Sequence, residues 1–222
     1  AGDVFCVLGG SGTGKSTLLR TLIGLQPALA GEVDIAGVGA PKLSDQRPRF
    51  GVMFQSGALF GSLTVGQNVA LPLRRWTRLG ERHLGRVVRA PLQLVGPDVY
   101  ENHLPAEIWG GMKKRAGIAR ALALDPPLLF LDEPSAGLDP ISSRELDHLI
   151  LTLAGSLSVT VIVVTHELDS IFRIADDSIL LDREARGIIA RGPPGELRDH
   201  SSDARVLRFF RAQTEPALEA SE

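Results

Sequence analysis

The sequence predicts an α/β fold, a mainly parallel sheet with helices on its faces and a helical subdomain inserted into it. Three observations predict it. Apolar runs alternate with helical patterns along most of the 222 residues, the order expected of βαβ units. A glycine-rich loop, Gly9 to Thr17, joins one such run to one such helix. From about Val65 to Leu104 the alternation stops, and a helical pattern with Arg-rich polar faces and several Pro and Gly breaks takes over.

The elements follow in order. An apolar run, Val4–Leu8, leads into Gly9, Gly10, Ser11, Gly12, Thr13, Gly14, Lys15, Ser16 and Thr17, and a helical pattern covers Ser16–Ile23. Gly9, Gly14, Lys15 and Ser16 satisfy G-x-x-x-x-G-K-[ST], the phosphate-binding loop of the P-loop NTPases, and a strand before it and a helix after it are the context that pattern requires. Its glycines let the backbone curl so that N–H groups face phosphate oxygens, and the helix N-terminus adds partial positive charge. Lys15 is expected to neutralise the β- and γ-phosphates, and the Ser16 hydroxyl to ligate Mg²⁺. Further strand-like runs are Gly31–Ile35, Phe50–Phe54, Leu128–Asp132, Val159–Thr165, Asp177–Asp182 and Gly187–Arg191; further helices are Met112–Ala123, Ile141–Ser156 and Leu168–Ala175. The expected organisation is a nucleotide-binding core over 1–64 and 118–199, the helical subdomain over 65–117, and a C-terminal part over 200–222. That last part comprises a short helix, Ala204–Ala212, and a polar, frayed tail.

Composition excludes several classes. A hydrophobic fraction of 44% supports a sizeable core, and a formal net charge of −2 argues against a surface built to hold nucleic acid. The lone cysteine, Cys6, lies in the first apolar run, where strand packing accounts for it; with no second cysteine there is no internal disulfide, in keeping with a reducing cytosol. No apolar stretch approaches the roughly 18 residues that span a bilayer, and no leader pattern precedes the loop, so a soluble chain is expected.

The run Leu128–Asp132 ends in two acids, Asp132 and Glu133. A buried strand of this kind brings its C-terminal edge beside the phosphate loop. Asp132 is then placed to hold Mg²⁺, directly or through water, and Glu133 to polarise a water in line with the γ-phosphate. His166 ends another apolar strand. A lone histidine there is ordinarily a structural residue, but the parallel with the Asp132 strand end points to a contact with the γ-phosphate and the attacking water. Gln55, closing the Phe50–Phe54 run, offers an amide oxygen to Mg²⁺ or water.

Taken together, Gly9–Thr17, the Gln55 loop, Ile108-Trp109-Gly110-Gly111-Met112 followed by Lys113-Lys-Arg-Ala-Gly-Ile-Ala-Arg120, Leu128–Glu133, Ala136-Gly-Leu-Asp139 and Thr165-His166 resemble the ATPase subunits of ATP-binding-cassette (ABC) transporters, in that family's order. Within the family, Met53–Phe60, Ser62–Val69, Met112 and the ending Arg205–Phe210 look like the ATPases of Mce-type lipid transporters, the group that includes the maintenance-of-lipid-asymmetry (Mla) system of Gram-negative bacteria. The resemblance implies two subunits meeting head to tail with two ATPs between them. Each ATP is held by one subunit's phosphate loop and by the other's signature segment (Trp109, Gly110, Gly111, Met112), with Asp139 in the D-loop beside it. It implies Glu133 as general base, with Lys15 and His166 stabilising charge, and Mg²⁺ at Ser16, Gln55 and Asp132. It also implies an integral membrane permease docked near the Gln55 loop, where Phe54, Leu59 and Phe60 would be apolar contacts unless they simply pack beneath the loop. A Mce-type substrate-binding protein and a small regulatory subunit would complete the assembly at the cytoplasmic face of the bacterial inner membrane, with no nucleic acid.

Two positions depart from that family. Trp109 stands where the signature carries Ser, removing a hydrogen bond to a charged group worth on the order of 1.5–3 kcal/mol and placing an indole in a cleft shaped for a hydroxymethyl group. A weak ATPase, an altered signature, or an indole seated elsewhere would each follow. Only eight residues precede Gly9, leaving no adenine-stacking aromatic to assign. Truncation is the expectation, since missing early strands would bare a sheet edge. The alternatives are an importer ATPase for amino acids or another small solute, and a non-catalytic nucleotide-responsive subunit; the coiled-coil insertion or paired cassettes of ABC proteins in DNA repair or translation are lacking.

Overall fold

Strand pairing decides the architecture. A computed structural model of the chain describes residues 2–35, 39–41, 47–96 and 98–211. Among these residues six strands form one sheet: β1 (Val4–Leu8), β2 (Phe50–Met53), β3 (Leu128–Asp132), β4 (Thr160–Val164), β5 (Asp177–Asp182) and β6 (Gly187–Gly192), in the spatial order β2-β3-β4-β1-β5-β6. The first five run parallel, and β6 returns antiparallel to β5 at the edge. β3, β4 and β1 are central strands covered on both faces, which is why their sequences read as near-continuous apolar runs.

Alternate residues of these strands feed two cores. Val7, Phe130 and Val164 face α1 (Lys15–Leu22), packing with Leu19 and Ile23. Cys6, Leu8, Leu129, Leu131, Val161 and Val163 face the larger core on the other side. There they meet α2 (Val65–Trp76), α3 (Glu81–Val95), α4 (Gly110–Leu122), α5 (Pro140–Leu157) and α6 (Leu168–Ile174). Short helices α7 (Pro194–His200) and α8 (Ala204–Arg211) follow β6, with Val206 and Phe210 of α8 buried in the larger core. Ala212 and the polar tail to Glu222 lie outside the described residues.

Two expectations change. Gly31–Ile35 is not a strand: Ile35 makes a single antiparallel bridge to Gly39, and Gly31, Glu32 and Asp34 are exposed. Alternation marks residues able to line a pleated surface, but a strand exists only where a neighbour completes its ladder. Pro72 and Pro91 of the middle segment do not break it either, since α2 runs through the first and α3 through the second. Each helix carries an unbroken buried stripe, Val65, Val69 and Leu73 in one, Leu84, Val88, Leu92 and Val95 in the other, and burying it outweighs the roughly 3 kcal/mol an internal proline costs.

α4 packs on α2 and α3 on one side and on β2 on the other. Its contact with β2 is tight: a Cβ on Gly51 would lie 2.2 Å from the Ala121 carbonyl oxygen. Arg120 of α4 donates to the carbonyls of Gly57 and Ala58, 2.9 and 2.7 Å, tying the turn after Gln55 to the helix. Asn68, fully buried, donates to the carbonyls of Phe60, Leu63 and Thr64 and accepts from the Phe60 N–H, which fixes the entry to α2. Among the described residues no helix is long and apolar enough to cross a membrane.

Candidate functional site

The C-terminal ends of β1, β4, β3 and β2 share one edge of the sheet, the edge where open α/β sheets bind ligands. In that order they carry the Gly9–Thr17 loop, Thr165 and His166, Asp132 and Glu133, and Phe54 and Gln55. A cavity of about 430 Å³ opens there. Its lining is Ser11 to Thr17 from the loop, with Gln55, Asp132, Glu133 and His166 from the neighbouring strand ends.

The loop closes by local rules. Gly14 stands at φ 97°, immediately before α1, where an L side chain is disfavoured. Gly9 has φ 150°, and a Cβ there would lie 2.5 Å from Thr13 Oγ1 and 2.9 Å from the Leu181 carbonyl oxygen. α1 has no side-chain cap and no acid in its first turn, so its positive end faces the cavity uncompensated. The Lys15 ammonium donates to the carbonyls of Gly9 at 2.7 Å and Gly10 at 3.1 Å. Gly9 and Gly10 thus shape the loop from behind rather than lining the cavity. Burial pulls the Lys15 pKa down, while Glu133 and Asp132 push it back up.

Opposite Lys15 sit the two acids. Burial and the neighbouring Glu133 raise the Asp132 pKa, against the pull of Arg20, Lys15 and Lys114, so added positive charge is what this carboxylate calls for. Ser16, Gln55 and Asp132 line the same cavity, a hydroxyl, an amide oxygen and a carboxylate, the hard oxygen donors magnesium prefers. The donor set fits that ion, and no cluster of three or more His, Cys, Asp or Glu suited to another metal occurs among the described residues.

Glu133 has the most constrained geometry of the group. Its φ is 47°, in the left-handed region that non-glycine residues rarely enter, and it is buried. Its N–H donates to the Val164 carbonyl at 2.8 Å. One carboxylate oxygen lies 2.8 Å from His166 Nδ1, and the other accepts from Thr165 Oγ1 at 3.2 Å. Lys114 Nζ donates to the Glu133 carbonyl at 2.7 Å. Thr165 and Lys114 lie within matched motifs, but no role was assigned to either from the sequence. Lys114 did leave a signal: spaced with Gly111, Ile118 and Ala121 it falls on the buried stripe of α4, where an ammonium requires an acceptor.

The remaining residues stand apart from this cavity. Trp109 is the N-cap of α4 with no side-chain capping bond, and it is 44% exposed. Its indole folds back over Gly111, where a Cβ would meet the six-membered ring at 1.9 Å. Gly110 approaches Leu138, so the Trp109–Met112 segment and the Ala136–Asp139 loop are neighbours. Asp139 caps α5, accepting from the N–H groups of Ile141 and Ser142 at 3.0 and 3.1 Å, and the Ser142 hydroxyl holds its pKa below the usual carboxylate range. Of the three apolar residues near the Gln55 loop, Phe54 and Leu59 pack against the cores and only Phe60 is largely exposed, at 59%.

Comparison with known proteins places this geometry. The family model described as ABC transporter matches residues 1–136. The probable ribonucleotide transport ATP-binding protein mkl of Mycobacterium leprae is 41% identical over 215 residues, which is 95% of this chain and 61% of that protein. The chain therefore spans less than two thirds of that relative's length. The intermembrane phospholipid transport system ATP-binding protein MlaF of Haemophilus influenzae is 37% identical over 96% of this chain and 82% of its own length. The methionine import ATP-binding protein MetN of Caulobacter vibrioides is 38% identical over 95% of this chain and 64% of its own length. Among solved structures, the dimeric post-hydrolysis state of the ATP-binding cassette MJ0796, bound to ADP and Pi, superposes with a TM-score of 0.77 at 29% identity, covering 86% of this chain and 85% of that one. The family model takes in the phosphate loop, the signature segment and the paired acids of β3 together, and the relatives extend the likeness over nearly all the remainder: this chain belongs to the ABC transporter family.

Proposed function

We propose that this chain is the ATP-binding and ATP-hydrolysing subunit of a bacterial ABC transporter. It works as a pair at the cytoplasmic face of the inner membrane and powers phospholipid movement through a permease partner. The observation that carries the ATPase reading is the meeting of Lys15, Asp132, Glu133 and His166 around the phosphate loop in one cavity.

In this reading the loop N–H groups and Lys15 hold the β- and γ-phosphates. Ser16, Gln55 and Asp132 would hold magnesium, which when bound supplies fixed positive charge to the phosphate oxygens. Glu133 takes the proton of the attacking water, its carboxylate aimed by His166 and Thr165. With Nδ1 engaged by Glu133, His166 has Nε2 left to reach the γ-phosphate. The dimeric state of the MJ0796 cassette supports two copies meeting so that the Trp109–Met112 segment and Asp139 of one face the nucleotide of the other. Closing and reopening of that pair would drive the permease.

Lipid cargo draws its support from the MlaF relatives and from the Met53–Phe60 and Met112 sequences; a Mce-type substrate-binding protein and a small regulatory subunit fit the same assignment. Methionine, an amino acid, is the second cargo reading, favoured by the MetN relative. A weakened or non-catalytic subunit is the second activity reading, favoured by the indole over Gly111.

The activity test is Glu133→Gln in the assembled transporter. Nucleotide affinity should stay within about twofold while turnover falls by roughly two to four orders of magnitude; near-normal phosphate release would remove Glu133 as the base. For cargo, the assembly purified with its permease should carry phospholipid and show ATPase stimulated by it. Stimulation by methionine or a ribonucleotide instead would reassign the substrate.

A further inference from the structure

We propose that Lys114 is a positioning residue for ATP hydrolysis: from the helix that begins at the signature segment, it holds the backbone of Glu133 and so aims the base. The proposal rests on Glu133 being that base.

Lys114 lies just over one turn into α4 and is 6% exposed. An ammonium is not buried without strong compensation. Here its hydrogen bond goes to a backbone carbonyl, that of Glu133, at 2.7 Å; burial pulls its pKa down, against Glu167, Glu133 and Asp132, which push it up. The carbonyl it holds belongs to a residue at φ 47°, a conformation that persists only where the surroundings impose it. Three bonds hold it: the Glu133 N–H donates to Val164, and the carbonyl accepts from Lys114 at 2.7 Å and from the Ala136 N–H at 3.3 Å. Releasing the Lys114 bond leaves the carbonyl only the longer Ala136 contact, which lets the peptide relax and swings the carboxylate off His166 and Thr165. An error of an ångström at a base costs on the order of a hundredfold in rate.

Position on the helix adds a second consequence. α4 starts at Gly110, with Trp109 as its cap, and it is the rigid link between the segment proposed to meet the partner copy's nucleotide and Lys114. Movement of that segment on closure reaches Glu133 of the same chain through one side chain. Lys15 makes no such link, because its acceptors are the carbonyls of its own loop.

The test compares Lys114→Met, Lys114→Arg and Glu133→Gln in the assembled transporter, measuring kcat, KM for ATP, the Kd of a fluorescent ATP analogue, and melting temperature. Lys114→Met should lose at least about tenfold in kcat with KM and Kd within about twofold, and Lys114→Arg, which keeps a cationic donor, should recover most of that loss. A Lys114→Met kcat within twofold of wild type overturns the proposal. So does a kcat loss that comes with matching losses of nucleotide affinity and melting temperature, or an Arg variant no better than Met. Should Lys114→Met not fold, Lys114→Gln takes its place under the same criteria. If Glu133→Gln itself turns over normally, the base assignment falls and this proposal with it; if Glu133→Gln is inactive while Lys114→Met is normal, only the Lys114 proposal falls.

Discussion

Under the proposed pairing of two copies, Trp109 bears on a site that it does not line. A serine at the first position of the signature would offer a hydroxyl to a phosphate across the dimer seam; the indole offers none at that reach and covers Gly111 instead. The contact is intimate because Gly111 has no side chain, so the glycine that would let a phosphate approach the helix N-terminus is occupied by carbon. At 44% exposure Trp109 is still partly in solvent. In the assembled transporter Trp109→Ser should therefore raise the ATPase rate, by about tenfold or more if the restored bond to a charged oxygen is worth its usual 1.5–3 kcal/mol. An unchanged rate would mean that the indole swings clear at no cost when the seam closes.

At the scale of elements, what could be read in advance divides by whether the deciding interaction is local. β1, β3, β4 and α1 were legible because apolar runs and a glycine-rich turn are properties of adjacent residues. The strand ends carrying Asp132, Glu133 and His166 were legible because a parallel sheet puts all such ends on one edge. Gly31–Ile35 has the same local signature but, among the described residues, only the Ile35–Gly39 bridge as pairing, and pairing is not written in the segment that pairs. Pro72 and Pro91 mark breaks by local rules, yet the stripes Val65–Val69–Leu73 and Leu84–Val88–Leu92 hold their helices together through burial against other elements. Lys114 falls on the same side of that line. Its place on the stripe of α4 could be counted along the helix, but its acceptor, a carbonyl nineteen positions away on another element, depends on how α4 crosses β3. The close approach of Gly51 to Ala121, which seats the Gln55 strand against that helix, is likewise a fact of packing.

For the molecule as a whole, Cys6 is a built-in reporter, since the sequence has one cysteine and β1 places it between β4 and β5, with Val163 and Ser178 as its neighbours in register. It has no solvent exposure. Burial, then the Asp147 and Asp176 carboxylates, push its thiol from 9.0 up to about 12. Because the thiolate is the reactive form, a thiol reagent at pH near 8 should modify the folded protein only through opening of the central sheet, and the rate should rise with denaturant in step with global unfolding. The same shift has a thermodynamic consequence of fixed sign. The native pKa is the higher, so the native state holds its proton more tightly than the unfolded chain; that contribution to stability is whole below about pH 9 and drains away as pH rises through about 12. Urea unfolding of wild type and Cys6→Ala at about pH 8 and pH 10.5 separates this effect from lysine and tyrosine titration, which both proteins share. Wild type should lose more stability than the variant between the two. Equal losses, or labelling of the native thiol within the mixing time, would mean that the centre of the sheet is open to water and that β1 is not the closed core strand described above.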